Sequence, residues 1–425
     1  MEEKNLALEA IRKKLVGKKL NYKEIYAIMD EISKDKLGEV LTTYFVASGY
    51  SEGFSDDELY YLTRAMVETG ERLEFRGIVA DKHSIGGVPG ARVTLILVPI
   101  IAAAGFKIPK SSSRAITTPA GTADAMEVIA DVTFTKNEIL KIVEKTNACI
   151  VWGGSFKIAP ADDEIIKIEE PLLFESFDKI VVSVMAKKVA FGATHVVIDL
   201  PYGKWVKLHR AEDAAVIKRK FEYIARKFGI KLVTYVHEVK EPAGNGIGPL
   251  LETRDSLMVL EQDPNRPIVL ENLALDAASE LLELCLTDAN QEIKEHYKKN
   301  YKNTRDWAKD ILVSGKALSK MREIIGAQRG KPNIKSSDLK PGSFCSSVTS
   351  DFDGKITEVS SKNITVIAKI LGAPKIHEAG LNLRKRLGDE VKKGEELFSL
   401  YSNTEHSLRE AIDSIENFPI YEISR

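Results

Sequence analysis

Cysteine is scarce in this chain. Only three cysteines, Cys149, Cys285 and Cys345, occur in 425 residues, and they are far apart. An odd, scattered set excludes a disulfide framework, and no two of them have the spacing of zinc ligands. A reducing, cytoplasmic compartment is therefore expected.

The chain also lacks a net charge and a long hydrophobic run. Its 61 Lys and Arg residues balance 62 Asp and Glu residues, so no overall field favours nucleic acid or an anionic membrane. The longest apolar run, residues 93–104, contains Thr94 and Pro99 and is too short to span a bilayer. The acidic N-terminus does not resemble a secretory signal. We therefore expect neither nucleic acid nor membrane partners.

A chain of this length predicts two or three domains. Apolar residues at helical spacing fill residues 4–70, where Ser55 is expected to cap a helix. From about residue 76, short β-rich runs alternate with amphipathic helices, which is typical of a mostly parallel sheet with helices on its faces. The expected strands are Ala148–Trp152, His195–Leu200 and Lys231–His237, and the expected helices lie near 135–146, 211–227 and 249–262.

These patterns predict an α/β protein with three domains. Residues 1–70 and 161–191 would form a discontinuous helical domain. Residues 71–160 and 192–330 would form a large α/β domain with a mixed or parallel sheet. A Pro-, Gly- and Ser-rich linker then leads to residues 331–425, which read as a small α+β domain.

The most informative stretch begins with the sequence DKHSIGGVPG at residues 81–90. We expect it to be a loop between a short strand at 78–80 and a buried helix that begins near Ala91. Glycine-rich turns at a helix N-terminus bind anions through free backbone N–H groups. Because Lys82, His83 and Ser84 are adjacent, an anion site is favoured over a flexible turn.

A second such loop, SSSRAITTPAGTAD, occupies residues 111–124. Hydroxyl groups donate to phosphate without the desolvation cost of a charge. Thr122 is a candidate N-cap for a helix at 123–130. Two loops of this composition together predict an enzyme that handles phosphate.

Together the two motifs resemble the thymidine/pyrimidine-nucleoside phosphorylase superfamily, and SSRAIT with AGTAD is similar to its archaeal AMP phosphorylase branch. The resemblance covers about residues 5–400. It continues through WGGSFKIAPADDEI, SVMAKK, VIDLPYGKWVK, AGNGIGPLLETRDSL and GDEVKKGEELF. It implies a helical domain, a large α/β domain with a cleft between them, and a C-terminal α+β domain. The implied reaction is reversible phosphorolysis of an N-glycosidic bond, with phosphate as a co-substrate and no cofactor.

The resemblance also implies site residues. Those matching phosphate-binding positions are Lys82, Ser84, Ser112 and Thr122. Those matching nucleotide-binding positions are Gly87, Ser113, Arg114, Ala115, Ile116, Thr117, Thr118, Thr122, Ser183 and Lys207. Helical spacing places Ser183 and Lys187 on one helix face, and Lys187 or Lys188 is expected to point into the cleft.

Glu175 lies where the AMP phosphorylase branch has its aspartic acid proton donor. The base leaves well only if a ring nitrogen is protonated, and a carboxylic acid with a raised pKa can supply that proton. Glu175 lies near Phe174 and Phe177, which suits such a role. Without the resemblance, a solvated helix residue would be the favoured interpretation.

Other candidates carry less weight. Asp162, Asp163 and Glu164 could suggest magnesium, but acidic residues at a helix start are more often partners of the helix dipole. His195, His209 and His237 lack metal-ligand spacing and are interpreted as structural. No metal is therefore expected. The GDEVKKGEELF segment is expected to have a packing role.

The sequence departs from the family in three ways. Glu175 replaces aspartic acid, which lengthens the reach of the acid by one methylene. The chain begins directly at the helical domain, whereas AMP phosphorylases usually carry a further N-terminal domain. Ile168 stands where thymidine phosphorylases have an arginine, and Lys110 replaces an apolar residue, which argues against strict thymidine recognition.

The leading hypothesis is phosphorolysis of AMP, or of CMP or UMP, to the free base and ribose 1,5-bisphosphate. Lys110, Arg114 and Lys207 would suit the 5′-phosphate. The alternatives are a pyrimidine or thymidine nucleoside phosphorylase, an anthranilate-type phosphoribosyltransferase, and a nucleotide-binding regulator without catalysis. A homodimer or higher homo-oligomer is expected from the apolar residues at 21–49 and from the family.

Overall fold

The computed structural model describes residues 2–115, 118–155, 157–169 and 176–424. Its first part is a bundle of helices. Ser55 caps the fourth helix by accepting from the Glu58 backbone N–H, and the Glu58 side chain accepts from the Ser55 backbone N–H, which confirms the predicted cap. The bundle helices are α1 Glu2–Leu15, α2 Tyr22–Ser33, α3 Glu39–Glu52, α4 Asp56–Glu68, α8 Pro160–Glu169 and α9 Phe177–Ala190.

The second part is a parallel sheet with helices on both faces. Its strands are β1 Ala80–Ser84, β2 Ile108–Ser112, β3 Ala148–Trp152, β4 His195–Tyr202 and β5 Lys231–Glu238. Its helices are α5 Val93–Ala103, α6 Thr122–Glu127, α7 Lys136–Thr146, α10 Ala211–Lys227, α11 Pro249–Glu261, α12 Ile268–Leu286, α13 Gln291–Asn300, α14 Thr304–Val313 and α15 Lys316–Ala327.

All pairings between these five strands are parallel. β1, β4 and β5 form a three-stranded sheet, and β2 pairs with β3. A parallel bridge between Val79 and Lys107 joins these two groups of strands. The spatial order is therefore β3-β2-β1-β4-β5, and all five strands end at the same edge. The predicted fold class is confirmed.

The last part is a small α+β unit. Its elements are β7 Phe344–Thr349, β8 Gly354–Val359, α16 Ser361–Leu371, β9 Gly380–Leu383, β10 Glu390–Val391, β11 Glu396–Ser402, α17 Glu405–Ser414 and β12 Tyr421–Ser424. The strand β6, Gly246–Ile247, comes from the α/β part and pairs with β9. Two antiparallel sheets form, β10-β8-β12 and β6-β9-β11-β7. The two parts thus share a sheet.

Apolar burial holds these layers together. One core contains α5, whose residues from Val93 to Ala102 are all buried, together with α11, α12, α14 and α15. A second core joins the helical bundle to the opposite face of the sheet, and Ala161, Ile165, Val181 and Met185 of α8 and α9 belong to it. A third core fills the C-terminal unit. In the part of the chain that the structure describes, no helix is long and apolar enough to cross a membrane.

Candidate active site

The two glycine- and hydroxyl-rich segments leave the sheet side by side. One follows β1 and the other follows β2, and the Val79–Lys107 bridge places these parallel strands next to each other. In open α/β sheets, ligands bind at the carboxyl ends of the strands. The site therefore has to be sought at this edge.

The strands extend further than the sequence predicts. Asp81–Ser84, expected in a loop, lie in β1, and Ser111 and Ser112 lie in β2. The expected strand at 78–80 is thus placed too early, and the helix expected near Ala91 begins at Val93. Charged residues in a central strand are stable here because partners from distant segments bind them.

Loop 1, residues 85–92, is linked to the start of α6, which follows loop 2, residues 113–121. Arg92 Nη1 donates to Thr122 Oγ1 at 3.3 Å. The Ala123 backbone N–H in turn donates to the carbonyl of Ser113, the first residue of loop 2, at 3.2 Å. The hydroxyl-rich segment is therefore held beside the glycine-rich turn, as expected.

Asp124 organises loop 2. Its Oδ2 accepts hydrogen bonds from the Ala115 backbone N–H at 2.7 Å and the Gly121 N–H at 2.9 Å, and its Oδ1 lies 3.2 Å from Arg114 Nη1. Gly121, not Thr122, occupies the N-cap position, and the helix runs over Thr122–Glu127. The prediction of Thr122 as N-cap is thus wrong, because the carboxylate of Asp124 satisfies the free N–H groups of this turn.

Gly121 is required where the two arms of loop 2 touch. A Cβ at this position would lie 2.5 Å from the Ala115 nitrogen and 2.7 Å from the Ser113 oxygen. Gly87 in loop 1 has φ +87°, and a Cβ there would lie 3.3 Å from Lys207 Cγ. The Lys207 segment after β4 therefore packs on loop 1, which brings these two predicted nucleotide-binding residues together.

Lys82 is buried beside two groups from neighbouring strands. Its Nζ donates to Asp199 Oδ2 at 2.8 Å, and His237 Nε2 lies 2.9 Å from Asp199 Oδ1. Burial raises the pKa of Asp199, but Lys82 and then His237 outweigh it and lower that pKa to about 2. The carboxylate therefore stays charged and fixes Lys82. Ser84 Oγ accepts from the Gly86 N–H at 3.2 Å.

A second buried cluster surrounds Asp81. Lys188 Nζ lies 2.5 Å from Asp81 Oδ2, and Lys110 Nζ lies 3.7 Å from Asp81 Oδ1 and donates to the Ser111 carbonyl. Burial, followed by the charge of Lys188, lowers the pKa of Lys110 to about 7. Burial, followed by the nearby lysines, lowers the pKa of His83 well below its usual value, so its ring is neutral.

Replacing Lys110 by methionine is expected to raise the free energy of unfolding at pH 7, with a gain that shrinks toward pH 10.5. The folded-state pKa is about 7 and the ordinary value is 10.5. Between these values the unfolded state binds a proton that the folded state does not, so wild-type stability rises with pH. The methionine variant lacks this rise. Urea denaturation at pH 7 and pH 10 measures the difference.

The control for this prediction is Lys298→Met on the exposed face of α13. We expect that substitution to change stability by less than about 0.5 kcal/mol at both pH values. A Lys110→Met protein that is less stable than wild type at pH 7, or that gains more at pH 10 than at pH 7, would contradict the assignment.

The helical bundle contributes the third group of side chains. Ser183 Oγ donates to Asp162 Oδ2 at 2.7 Å, and Lys187 Nζ lies 2.8 Å from the same oxygen. Burial opposes ionisation of Asp162, but Lys187 and then Lys179 lower its pKa. Asp162, interpreted from sequence as a partner of the helix dipole, therefore has a more specific position as the shared acceptor of two predicted nucleotide-binding residues.

Arg114 is held at the outer side of loop 2. It pairs with both carboxylate oxygens of Glu127, at 2.5 and 2.7 Å, and its guanidinium carbon lies 5.0 Å from the ring centroid of Trp152. Glu127 raises the pKa of Arg114 and so keeps it charged. His377, from the C-terminal unit, lies 3.8 Å from the same Glu127.

Three predicted residues, Glu175, Ile116 and Thr117, lie outside the described residues. Glu175 directly precedes Ser176, which caps α9 by accepting from the Lys179 N–H. The predicted Thr118 donates its hydroxyl to the Ala120 carbonyl at 3.0 Å. Ser112 Oγ is buried and has no hydrogen-bond partner among the described residues.

Sequence reasoning missed several residues of this arrangement. Asp199 and Glu252 lie inside motifs that carried the family resemblance, VIDLPYGKWVK and AGNGIGPLLETRDSL, and these motifs were the only available signal. Arg92 had no assigned role, and His237 was interpreted as structural. Lys188, one of the two lysines expected to point into the cleft, is instead buried against Asp81, whereas Lys187 is partly exposed. In the described part of the chain, no group of three His, Cys, Asp or Glu side chains could hold a metal ion.

Three family profiles match the chain in series. Residues 8–70 match the helical bundle domain of a glycosyl transferase family, and residues 76–318 match the a/b domain of that family. Residues 355–421 match the pyrimidine nucleoside phosphorylase C-terminal domain. These three segments correspond to the helical bundle, the sheet that carries loops 1 and 2, and the C-terminal unit.

Curated relatives align with almost the whole chain. AMP phosphorylase 1 of Archaeoglobus fulgidus is 41% identical over 408 residues, which are 96% of this chain and 78% of the relative. The AMP phosphorylase of Thermofilum pendens is 42% identical over 404 residues, 95% of this chain and 76% of the relative. The AMP phosphorylase of Methanocaldococcus jannaschii is 40% identical over 410 residues, which are 96% of this chain and 79% of the relative.

A solved structure supports the fold. Anthranilate phosphoribosyltransferase from Thermus thermophilus superposes with a TM-score of 0.60, covering 76% of this chain and 99% of that protein. The sequences are 17% identical. At this level the similarity establishes a shared helical-bundle and α/β architecture.

Proposed function

Because this chain belongs to the AMP phosphorylase family, we propose that it cleaves nucleoside 5′-monophosphates with inorganic phosphate. The products are the free base and ribose 1,5-bisphosphate. The observation that carries the proposal is the union of loops 1 and 2 at the carboxyl edge of the sheet, joined through Arg92 and Thr122. AMP is the first substrate to consider, since the relatives are named for it; CMP and UMP are further candidates.

The phosphate site is proposed to contain Lys82, Ser84, Ser112 and Thr122. Three observations support this assignment. Lys82 is held on β1 by its buried pair with Asp199, Ser112 has a buried hydroxyl without a partner among the described residues, and Thr122 begins α6. Hydroxyl donors, a cation and a helix N-terminus together orient an oxyanion as a nucleophile.

The nucleotide is proposed to lie between loop 2 and α9. Ser183 and Lys187 would contact the base, since Asp162 holds both on one helix face. The 5′-phosphate would lie near Gly87 and Lys207, with residues 113–118 along its other side. Arg114 is less available to bind the 5′-phosphate, because both oxygens of the Glu127 carboxylate already pair with its guanidinium.

The chemical steps follow from this placement. A phosphate oxygen forms a bond to C1′ while the bond between C1′ and the base nitrogen breaks. The sugar passes through a state with oxocarbenium character. The carboxylic acid of Glu175 is proposed to transfer its proton to a ring nitrogen of the base, so that the base leaves neutral. Phosphate is the second substrate, and no cofactor takes part.

The domain division is proposed as it follows from the sequence, with 1–70 and 161–191 as one helical domain, 71–160 and 192–330 as the α/β domain, and 331–425 as the third. Packing of α8 and α9 with α2 and α4 in one core supports this division.

A cytoplasmic homodimer is also proposed, with the helical domain forming the interface. Val40 and Tyr44 of α3, which are 69% and 54% exposed, support that interface.

The test is a comparison of AMP with adenosine in one assay. We expect phosphate-dependent release of adenine from AMP at a kcat/KM far above that with adenosine, because the 5′-phosphate contacts Gly87 and Lys207. Free base is quantified by chromatography, with omission of phosphate as the control. Equal or exclusive use of adenosine, or of uridine and thymidine, would reject the proposal in favour of a nucleoside phosphorylase.

A further inference from the structure

Arg92 lies where loops 1 and 2 meet, and the site assignments above do not include it. It occupies the N-cap position of α5, and its side chain is about 10% exposed. Its guanidinium has two partners from different parts of the chain. Nε lies 2.6 Å from Glu252 Oε2, and Nη1 donates to Thr122 Oγ1 at 3.3 Å.

Glu252 fixes the position of this guanidinium. Its side chain is fully buried on α11, and its Oε1 accepts from the Gly248 N–H at 3.2 Å. A buried carboxylate with a cationic partner and a backbone donor has little freedom to move. Glu252 therefore holds the Arg92 guanidinium in place, and its Nη1 is directed at Thr122, the first residue of α6.

The direction of the Arg92–Thr122 hydrogen bond decides what Thr122 can do. A guanidinium has donors and no acceptor, so Thr122 Oγ1 must accept from it. The hydroxyl then keeps its own hydrogen for another partner. A hydroxyl that accepts from a cation is also polarised, which strengthens it as a donor. Such a hydroxyl is well suited to donate to a phosphate oxygen.

We propose that Arg92 is a positioning residue of the phosphate site, which makes the Thr122 hydroxyl a committed donor to inorganic phosphate. The inference deepens the proposed function and rests on it, because it takes Thr122 as a phosphate contact. Lysine cannot replace arginine in this role. A single ammonium can pair with Glu252, but it lacks the planar fork that contacts Glu252 and Thr122 at once.

Binding of inorganic phosphate, measured by calorimetry without nucleotide, tests the proposal. Arg92→Lys is expected to weaken phosphate binding by about ten- to a hundredfold, the worth of a hydrogen bond to a charged group. In steady state, the KM for phosphate rises by a similar factor, while the KM for AMP changes by less than about threefold. The matched control is Arg266→Lys, which alters another arginine–glutamate pair of the same domain, with Nε 2.5 Å from Glu271.

Thr122→Val separates positioning from direct contact. If Arg92 acts through Thr122, Arg92→Lys causes no further loss of phosphate affinity in the Thr122→Val background. A full additional loss in that background would show that Arg92 contacts phosphate itself and would overturn the proposal. An Arg92→Lys protein with unchanged phosphate affinity would overturn it as well.

A second variant guards against misfolding. Replacing only Arg92 with a neutral residue leaves the Glu252 carboxylate buried without its cationic partner, which is strongly destabilising. Arg92→Met combined with Glu252→Gln avoids that charge and is expected to show the same loss of phosphate affinity. If wild type binds phosphate, loses affinity through Arg92→Lys and yet does not cleave AMP, the proposed function fails while the role of Arg92 stands.

Discussion

Phosphorolysis of AMP is expected to slow by about a hundred- to ten thousandfold when Glu175 is replaced by glutamine, the usual worth of a general acid. An amide of the same shape cannot give a proton to the departing base. The effect is expected in kcat, with the KM for phosphate nearly unchanged, because Glu175 acts on the base and not on the phosphate. Steady-state release of adenine measures it.

Two further variants show whether the loss of rate is due to the missing acid. Glu175→Asp is expected to keep most of the rate, since the family places an aspartic acid at this position and the acid function is retained. Glu164→Gln on α8 is the matched control, because Glu164 forms a surface pair with Lys167. A Glu175→Gln enzyme as fast as wild type would exclude Glu175 as the acid. Tight binding of AMP without turnover, with turnover gained in Glu175→Asp, would instead indicate a regulator.

Gly121→Ala is expected to lower kcat/KM by about a hundredfold, which a displacement of about 1 Å in a catalytic loop can cause. The backbone of Gly121, with φ −95°, suits alanine, so the effect comes from contact alone. The added Cβ would lie 2.5 to 2.7 Å from backbone atoms of Ser113, Arg114 and Ala115. Loop 2 must therefore open, which moves Thr122 away from Arg92. Kinetics with varied phosphate and AMP measure the loss.

Gly153→Ala provides the matched control for this loop. Gly153 lies at the same edge of the sheet, after β3, and a Cβ there would meet its nearest atoms at 3.7 and 3.8 Å, which is ordinary contact. We expect its kcat/KM to stay within about threefold of wild type. Equal activity of Gly121→Ala and Gly153→Ala would mean that the two arms of loop 2 need not touch for catalysis.

Local pattern predicted much of the fold. Ala148–Trp152 is a strand and 211–227 is a helix within the predicted bounds, because a short β-rich run predicts the strand and a longer amphipathic pattern predicts the helix. The pattern failed at β1. DKHS is polar and charged, so it reads as a loop, yet it forms a buried strand. Its stability depends on Lys188 and Asp199, which lie 107 and 117 residues away, and no local window contains them.

The residues of the candidate site also fall into those that the sequence can predict and those that it cannot. The glycine- and hydroxyl-rich segments could be proposed as an anion site from their composition, and the family resemblance named the individual residues within them. Arg92, Glu252 and Asp162 could not be identified, since each acts through a partner on a distant element. A buried ion pair has no sequence signature until the fold brings both members together.

The short strand β6 ties loop 1 to the end of the chain. Gly246 and Ile247 pair with Asn382 and Leu381, and the Gly244 N–H donates to the Gly90 carbonyl at 3.0 Å. During synthesis, β6 can form this ladder only after residues 380–383 have left the ribosome. The glycine-rich turn is therefore translated early but gains its full structural support late, when most of the C-terminal unit has emerged.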